Sequence, residues 1–467
     1  LPIDKQQLLT DFKEKIPAFQ EYIGNAVDYS DFLLGVVGDK APKKYIILLQ
    51  NNSELRATGG FPGTYAVVTF DKGYLKNILV DDVYNIDGQI KENIIPPIPL
   101  QHITPNWGMR DANWFPDFPT SARKVEDMYL KDGGEPVDGI LAITPDVIGK
   151  ILSIVGPIEM PEYGVTITAD NFRYQIQSEV EYGENRAQPK TIVKELQPKL
   201  FAKLAEQDKD HWSEIFKSLT REAEEKHILM YFNDPSLEKS ALKNGLAGEV
   251  KSVNGNYLQV VFSNVKGSKT DAMVKNSFEL AESMNDQNVN HILTINRFHT
   301  GGNSKFGFYN KVNPSYIRVY VPRGATLKNI SGNTITDFRA LIGHQDFGFT
   351  KDPDLAVMEQ NTKHPFKGVD VYEESGKTVF GFWLVVKPQE SKSVTLTYQT
   401  SGIFSENNYE LLWQKQAGTG EDQLNYNFEI PEGKRAVGIS ENLQAVGNRI
   451  FMSSDLSIDR EISIELK

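Results

Sequence analysis

Residues 45–70 read YIILLQNNSELRATGGFPGTYAVVTF. Two runs rich in β-branched, aliphatic and aromatic residues, YIILLQ and TYAVVTF, flank a polar loop that carries Arg56 and the glycines 59, 60 and 63. Apolar runs of this length, bounded by Gly and Pro, read as buried strands. A third run, YLKNILV, follows the turn at Asp71-Lys72-Gly73. Three strands in succession commit the chain to a sheet, and the elements that follow must cover it.

Downstream the pattern alternates. A proline-rich stretch ends in WGMRDANWFPDFPTSARKVEDMYL, where Pro119, Thr120 and Ser121 precede Val125, Met128 and Tyr129 at helical spacing. VDGILAIT reads as a further strand and PDVIGKILSIVG as a helix ending at Gly156. Residues 170–205 are helical with an interruption at EYGENRAQPK, and residues 211–245 add helix around the short strand HILMYF. Strands alternating with helices predict a layered α/β/α domain over residues 39–248 with a largely buried sheet. Before it, Leu8, Leu9, Phe12, Ile16, Phe19, Ile23 and Phe32 fall near one helical face, so residues 1–38 are expected to form a helical lead-in. From about residue 256 the texture changes to short alternating runs, among them YLQVVFSNV, HILTINRF, SYIRVYVP, TVFGFWLVV, SVTLTYQT, YELLWQK and ISIELK. Turn residues separate them, which predicts a mostly antiparallel, β-sandwich-like domain over residues 249–467.

Composition narrows the function classes. The 467 residues are 40% hydrophobic and 10% aromatic, enough for packed domains, and more than one core is expected at this length. A formal charge of −12 argues against nonspecific binding to nucleic acid or to anionic membrane. Cysteine is absent, which removes disulfides, thiolate metal sites and thiol nucleophiles, and leans towards an exported bacterial protein of the cell envelope or surface. The sequence begins at Leu1 and has no apolar run long enough to span a bilayer, so a membrane anchor, where one exists, is expected upstream of Leu1.

The seven histidines show neither HExxH nor HxH spacing, and no GxSxG elbow or P-loop is present. Arginines, glycines and carboxylates remain. Arg56 precedes glycines that can turn backbone N–H groups towards an anion, and Arg110-Asp111 sits in the aromatic segment WGMRDANWFPDFP. Arg123, Arg173, Arg186 and Lys190 stand at loop and helix positions of the same half. Guanidinium forks suit diphosphate, because they stay charged and bond two oxygens at once. Asp81 and Asp82 end the third strand, where an acid–base group or a divalent cation would fit. The competing reading of each residue is structural: a capped turn, a local salt bridge, a core tryptophan at 107 or 114.

LLQNNSELRATGGFPGTYAVVTFDKG, WGMRDANWFPDFPTSARKVEDMY and VDGILAITPDVIGKILSIVGPIEMPEYG together resemble the bacterial domain of unknown function 4012, and SNVKGSKTDAMV is similar to that family's later glycine-lysine segment. More distantly, the order of elements resembles the LytR-CpsA-Psr family, envelope enzymes that transfer glycopolymers from a polyprenyl-diphosphate carrier to peptidoglycan. The chain departs from that family where Val80-Asp81-Asp82-Val83 replaces Pro-Arg-Asp, and where Ala187-Gln188-Pro189-Lys190 replaces Arg-Gln-Gln. The resemblance implies a polyprenyl-diphosphate-linked glycan or cell-wall polymer as partner. Arg56, Arg110, Arg123, Arg173, Arg186 and Lys190 would bind the diphosphate. Asp81, Asp82 and Asp111 would supply the catalytic carboxylates, with Asp82 and Asp111 holding Mg²⁺. The alternative is a noncatalytic surface protein that uses the α/β domain as scaffold and self-associates at the cell surface.

Overall fold

The computed structural model describes residues 28–467 apart from 91, 184–189, 286–287 and 403–406. Most of the expected N-terminal lead-in therefore lies outside the described residues. The first region runs α1 (28–36), β1 (Lys43–Asn51), β2 (Phe61–Asp71), β3 (Tyr74–Asp82) and α2 (Val83–Asp87). It continues through β4 (Ile94–Ile95), α3 (Phe118–Lys131), β5 (Gly139–Ile143), α4 (Pro145–Val155), the hairpin β6 (Ile158–Met160) and β7 (Val165–Ile167), and α5 (Phe172–Tyr182). Helices α6 (Thr191–Ala205) and α7 (Lys209–Glu224), strand β8 (Ile228–Phe232) and α8 (Pro235–Lys243) complete it.

Its sheet has the order β3-β2-β1-β5-β8; only the β1–β5 pair is parallel. Alternation along the strands sorts side chains onto two faces. Ile46, Leu48, Tyr65, Ile140, Ala142, Leu229 and Tyr231 pack with Phe118, Ala122, Val125 and Met128 of α3 and with Trp107, Met109, Trp114 and Phe115 of the loop before it. Tyr45, Ala66, Val68, Ile228 and Phe232 pack on the other face with Phe32 of α1, Val147 of α4, Ala223 of α7, and Leu237 and Ala241 of α8. Helices therefore cover both faces. Each fully buried aliphatic or aromatic side chain contributes about 1.5–3 kcal/mol. The two tryptophans are core, Trp107 at 1% and Trp114 at 3% exposure. YLKNILV, expected in a largely buried sheet, is instead an edge: among the described residues β3 has a strand on one side only, and Tyr74 and Leu79 are 69% and 58% exposed.

The second region contains β9 (Asn256–Asn264), β10 (Val274–Asn285), β11 (Asn288–His299), β12 (Asn313–Pro322), β13 (Thr326–Ser331), β14 (Thr350–Lys351), α9 (Pro353–Gln360) and β15 (Val369–Glu374). It ends with β16 (Lys377–Val386), β17 (Ser391–Ser401), β18 (Asn408–Trp413), β19 (Gln423–Glu429), β20 (Ala436–Ile439), β21 (Gln444–Val446), β22 (Arg449–Asp455) and β23 (Arg460–Leu466). Two seven-stranded, mainly antiparallel sheets, β13-β17-β11-β10-β19-β22-β21 and β15-β16-β12-β9-β18-β23-β20, enclose one core. Phe278, Leu293, Leu396 and Tyr426 from the first sheet meet Phe262, Val319, Phe382 and Trp413 from the second.

The regions interlock. Val265, Tyr316, Trp383 and Ala417 of the second region join the core on the α3 face of the first. The Asp271 carboxylate accepts from the backbone N–H of Leu55 at 3.0 Å and from Asn264, Asn313 and Arg297. No helix among the described residues is long and apolar enough to cross a membrane.

Candidate functional site

The β1–β2 loop is shaped by close packing. Gly59 has φ +136°, outside the range that side-chain-bearing residues favour. A Cβ on Gly60 would stand 2.3 Å from the Asn51 carbonyl carbon and oxygen. The buried Gln50 side chain accepts from Gly60 N–H at 3.0 Å, and Asn113 Nδ2 donates to the Gly60 carbonyl at 2.9 Å. A Cβ on Gly418 would in turn meet the Gly59 carbonyl oxygen at 2.3 Å, so the glycines let two loops of different regions touch.

This loop buries Arg56 to 3% exposure. Its guanidinium donates to the carbonyls of Leu55 and Asn264 and to Glu54 Oε1 at 3.2 Å, and Nη2 stands 3.6 Å from Asp111 Oδ1. Arg110, on the short 3-10 turn Met109–Asp111, donates to Asp87 Oδ2 at 2.6 Å and to Thr104 Oγ1 at 2.8 Å, and its Nε is 3.6 Å from Asp111 Oδ2. Asp82 caps α2 by accepting from Tyr84 N–H and pairs with Lys190 Nζ at 2.9 Å; Lys190 also donates to the Gly63 carbonyl. Asp81 accepts from Asn85 Nδ2 at 2.7 Å and faces Lys194 at 3.6 Å.

Aromatic rings gather these cations. Arg56 lies 5.3 Å from the Phe61 ring centroid, and Arg110 and Lys190 lie 5.7 and 5.6 Å from that of Tyr84. The Phe61 and Tyr84 centroids are 6.3 Å apart. Arg56, Arg110, Lys190, Asp81, Asp82 and Asp111 thus belong to one neighbourhood. Burial sets its electrostatics: desolvation raises the Glu54 and Asp87 carboxyls above the ordinary range and lowers the Lys190 ammonium.

The other candidates lie elsewhere. Arg123 on α3 donates to Thr120 Oγ1 at 3.1 Å and lies over Tyr231 of the opposite edge strand β8. Arg173 on α5 pairs with Asp146 at 2.7 Å and donates to Asn52 Oδ1 at 3.0 Å. Arg186 lies outside the described residues. The residues do not fit Mg²⁺: Asp82 already faces Lys190 and a backbone N–H, and Asp111 faces two guanidinium groups. Among the described residues no three His, Cys, Asp or Glu side chains converge on a metal position.

Arg173 and Asp146 border a second place that sequence reasoning missed. A cavity of about 500 Å³ between the regions is lined by Asn52, Asp146, Arg173, His227, Asp271 and Asp422 among others. Thr144 Oγ1 lies 2.8 Å from His227 Nδ1, and desolvation, followed by nearby Lys415, pushes His227 down to about 4. Burial pushes Asp422 up to about 6. Lys415, 1% exposed, donates to the carbonyls of Glu225, Gln416 and Thr419 at 2.9, 3.2 and 2.7 Å, and desolvation lowers its ammonium to about 8. A lysine in a strand-flanking QKQ tripeptide gives no sequence signal of such a role.

No curated protein matches this chain. Among solved structures it is similar to the Lin1025 protein from Listeria innocua, with 12% identity, 48% of this chain and 85% of that chain covered, and a TM-score of 0.24. It is also similar to an M1 zinc metallopeptidase from Deinococcus radiodurans, with 7% identity, 41% of this chain and 42% of that chain covered, and a TM-score of 0.21. The chain thus covers less than half of the metallopeptidase's length. Residues 40–180, which hold β1 to β7, α2 to α4 and most of α5, match the family described as protein of unknown function DUF4012.

Proposed function

We propose that this chain is a noncatalytic component of the bacterial cell surface, in which a LytR-CpsA-Psr-like α/β layer serves as scaffold for the β region. The observation that carries this reading is the neutralisation of the cation cluster from within. Arg56, Arg110 and Lys190 face Glu54, Asp87, Asp111 and Asp82, and each cation also donates to a carbonyl or hydroxyl of the fold. A diphosphate entering here would have to displace buried carboxylates rather than fill a positive pocket. Helices on both faces of the mixed sheet support the LytR-CpsA-Psr-like layering, and the cysteine-free composition supports the extracytoplasmic setting.

Calorimetric titration with a short-chain polyprenyl diphosphate, with and without Mg²⁺, tests the reading. No saturable heat is expected in either case. Saturable binding that Arg110→Ala abolishes would restore the alternative, a binder of polyprenyl-diphosphate-linked glycan.

A further inference from the structure

The cavity between the two regions, about 500 Å³, is of the size that holds a small ligand. One wall is a relay of hydrogen bonds. Arg173 Nη2 and Asn52 Nδ2 each donate to Asp146 at 2.7 Å, and Thr144 Oγ1 donates to it at 3.1 Å. Against desolvation, Arg173 and the hydrogen bonds from Asn52 and Thr144 hold the Asp146 carboxyl below its ordinary value, so it only accepts. The one hydroxyl proton of Thr144 is therefore spent on Asp146, and the 2.8 Å contact with His227 is a donation from Nδ1–H. That fixes the tautomer: the neutral ring carries its lone pair on Nε2. His227 is 6% exposed, and Nε2 has no hydrogen-bond partner among the described residues yet is not sealed off, so it opens on the cavity.

The carboxylates of the cavity divide by partner. Asp146 pairs with Arg173 at 2.7 Å and Asp271 with Arg297 at 3.1 Å. Asp422 accepts from Asn276 Nδ2 at 3.1 Å and forms no ion pair among the described residues. Lys415, whose charge reaches Asp422, has no proton left for it, because its three N–H groups go to backbone carbonyls. At the rim Lys275 and Glu421 are exposed and of opposite sign, so the interior sets the preference. The unspent groups inside are acceptors: a neutral imidazole nitrogen and a carboxylate without a cation. We propose that this cavity binds a hydroxylated primary amine of amino-sugar size, its ammonium on Asp422 and a hydroxyl donating to His227 Nε2. The ammonium supplies the counter-ion that Asp422 lacks, and the hydroxyl satisfies the ring nitrogen that the relay leaves open. The lining includes none of Arg56, Arg110 and Lys190, and binding there involves no chemistry. The site therefore adds a ligand to the noncatalytic reading without resting on it.

Saturation-transfer NMR titration of the full chain with glucosamine at neutral pH tests the site, with glucose and N-acetylglucosamine as arms that lack the ammonium. Glucosamine is expected to bind saturably, and the two neutral sugars at least about tenfold more weakly, the size of a lost charge-assisted hydrogen bond. Asp422→Asn, which keeps an acceptor for Asn276, and His227→Phe are each expected to weaken glucosamine by a similar factor. Glu429→Gln removes an exposed carboxylate of β19 outside the cavity and is expected to leave binding unchanged. The comparison of sugars needs no variant, so it stands even where a substitution disturbs folding. No saturable glucosamine signal, equal binding of the neutral sugars, or unchanged binding in Asp422→Asn and His227→Phe overturns the proposal. None of these results bears on the diphosphate titration, which decides the scaffold reading separately.

Discussion

Arg56 was conspicuous in the sequence as a cation beside glycines, yet its surroundings were not legible there. Asn264, whose carbonyl it bonds, lies more than 200 positions away, and the loop hides the guanidinium from solvent. Removing it strands Glu54 and Asp111, so Arg56→Met is expected to lower stability by roughly 3–5 kcal/mol in urea denaturation. A loss below about 1 kcal/mol, the size of an exposed ion pair, would contradict a structural role. Burial also makes titration visible. Desolvation, reinforced by Asp146, raises Glu222 to about 7. The folded state therefore holds its proton more tightly than the unfolded state, whose ordinary value is 4.5. The associated stability is complete below about pH 4.5 and is lost as pH rises to about 7, on the order of 3 kcal/mol in all. His227 works in the opposite sense. Its depressed value makes its contribution complete above about pH 6.5 and lost as pH falls to about 4. Glu222→Gln is expected to remove the high-pH decline while leaving the low-pH one, as read from urea midpoints across pH.

Periodicity made most elements of the first region legible, because each strand is a compact apolar run and α4 ends at Gly156, whose φ is +83°. It did not separate a covered strand from an edge: YLKNILV has strand composition, and only the sheet order shows that no strand among the described residues lies beyond it. In the second region β10, β19 and β22 escaped notice because their outward positions are polar and their inward ones, such as Leu424 and Phe428, are few. The β1–β2 loop illustrates the same limit. Its glycines were open to an anion-binding reading, but Gly60 is held against the Asn51 carbonyl. Gly60→Ala is expected to lower stability by about 2–3 kcal/mol through steric overlap. An unchanged denaturation midpoint would show that the loop has slack and could open to a ligand.

At the scale of the whole molecule, the two textures in the sequence correspond to two kinds of sheet, but their mutual burial had no sequence signature. Lys415 joins them by donating to Glu225 of the first region and to Thr419 of the second. Lys415→Met leaves buried carbonyls without a donor and is expected to cost about 1–3 kcal/mol. Because the α3-face core contains residues of both regions, the loss should shift fluorescence and circular-dichroism midpoints together. Separate transitions would show that the regions are independent bodies. The proposed noncatalytic role requires an arginine cluster bonded into the fold rather than held open for diphosphate. A ligand that binds only the native chain raises its stability in proportion to the logarithm of its concentration. The most direct measurement is therefore the urea midpoint over a rising concentration of a short-chain polyprenyl diphosphate. A flat line is expected; a midpoint that climbs with concentration, and stops climbing in Arg110→Ala, would show that the cluster opens to diphosphate.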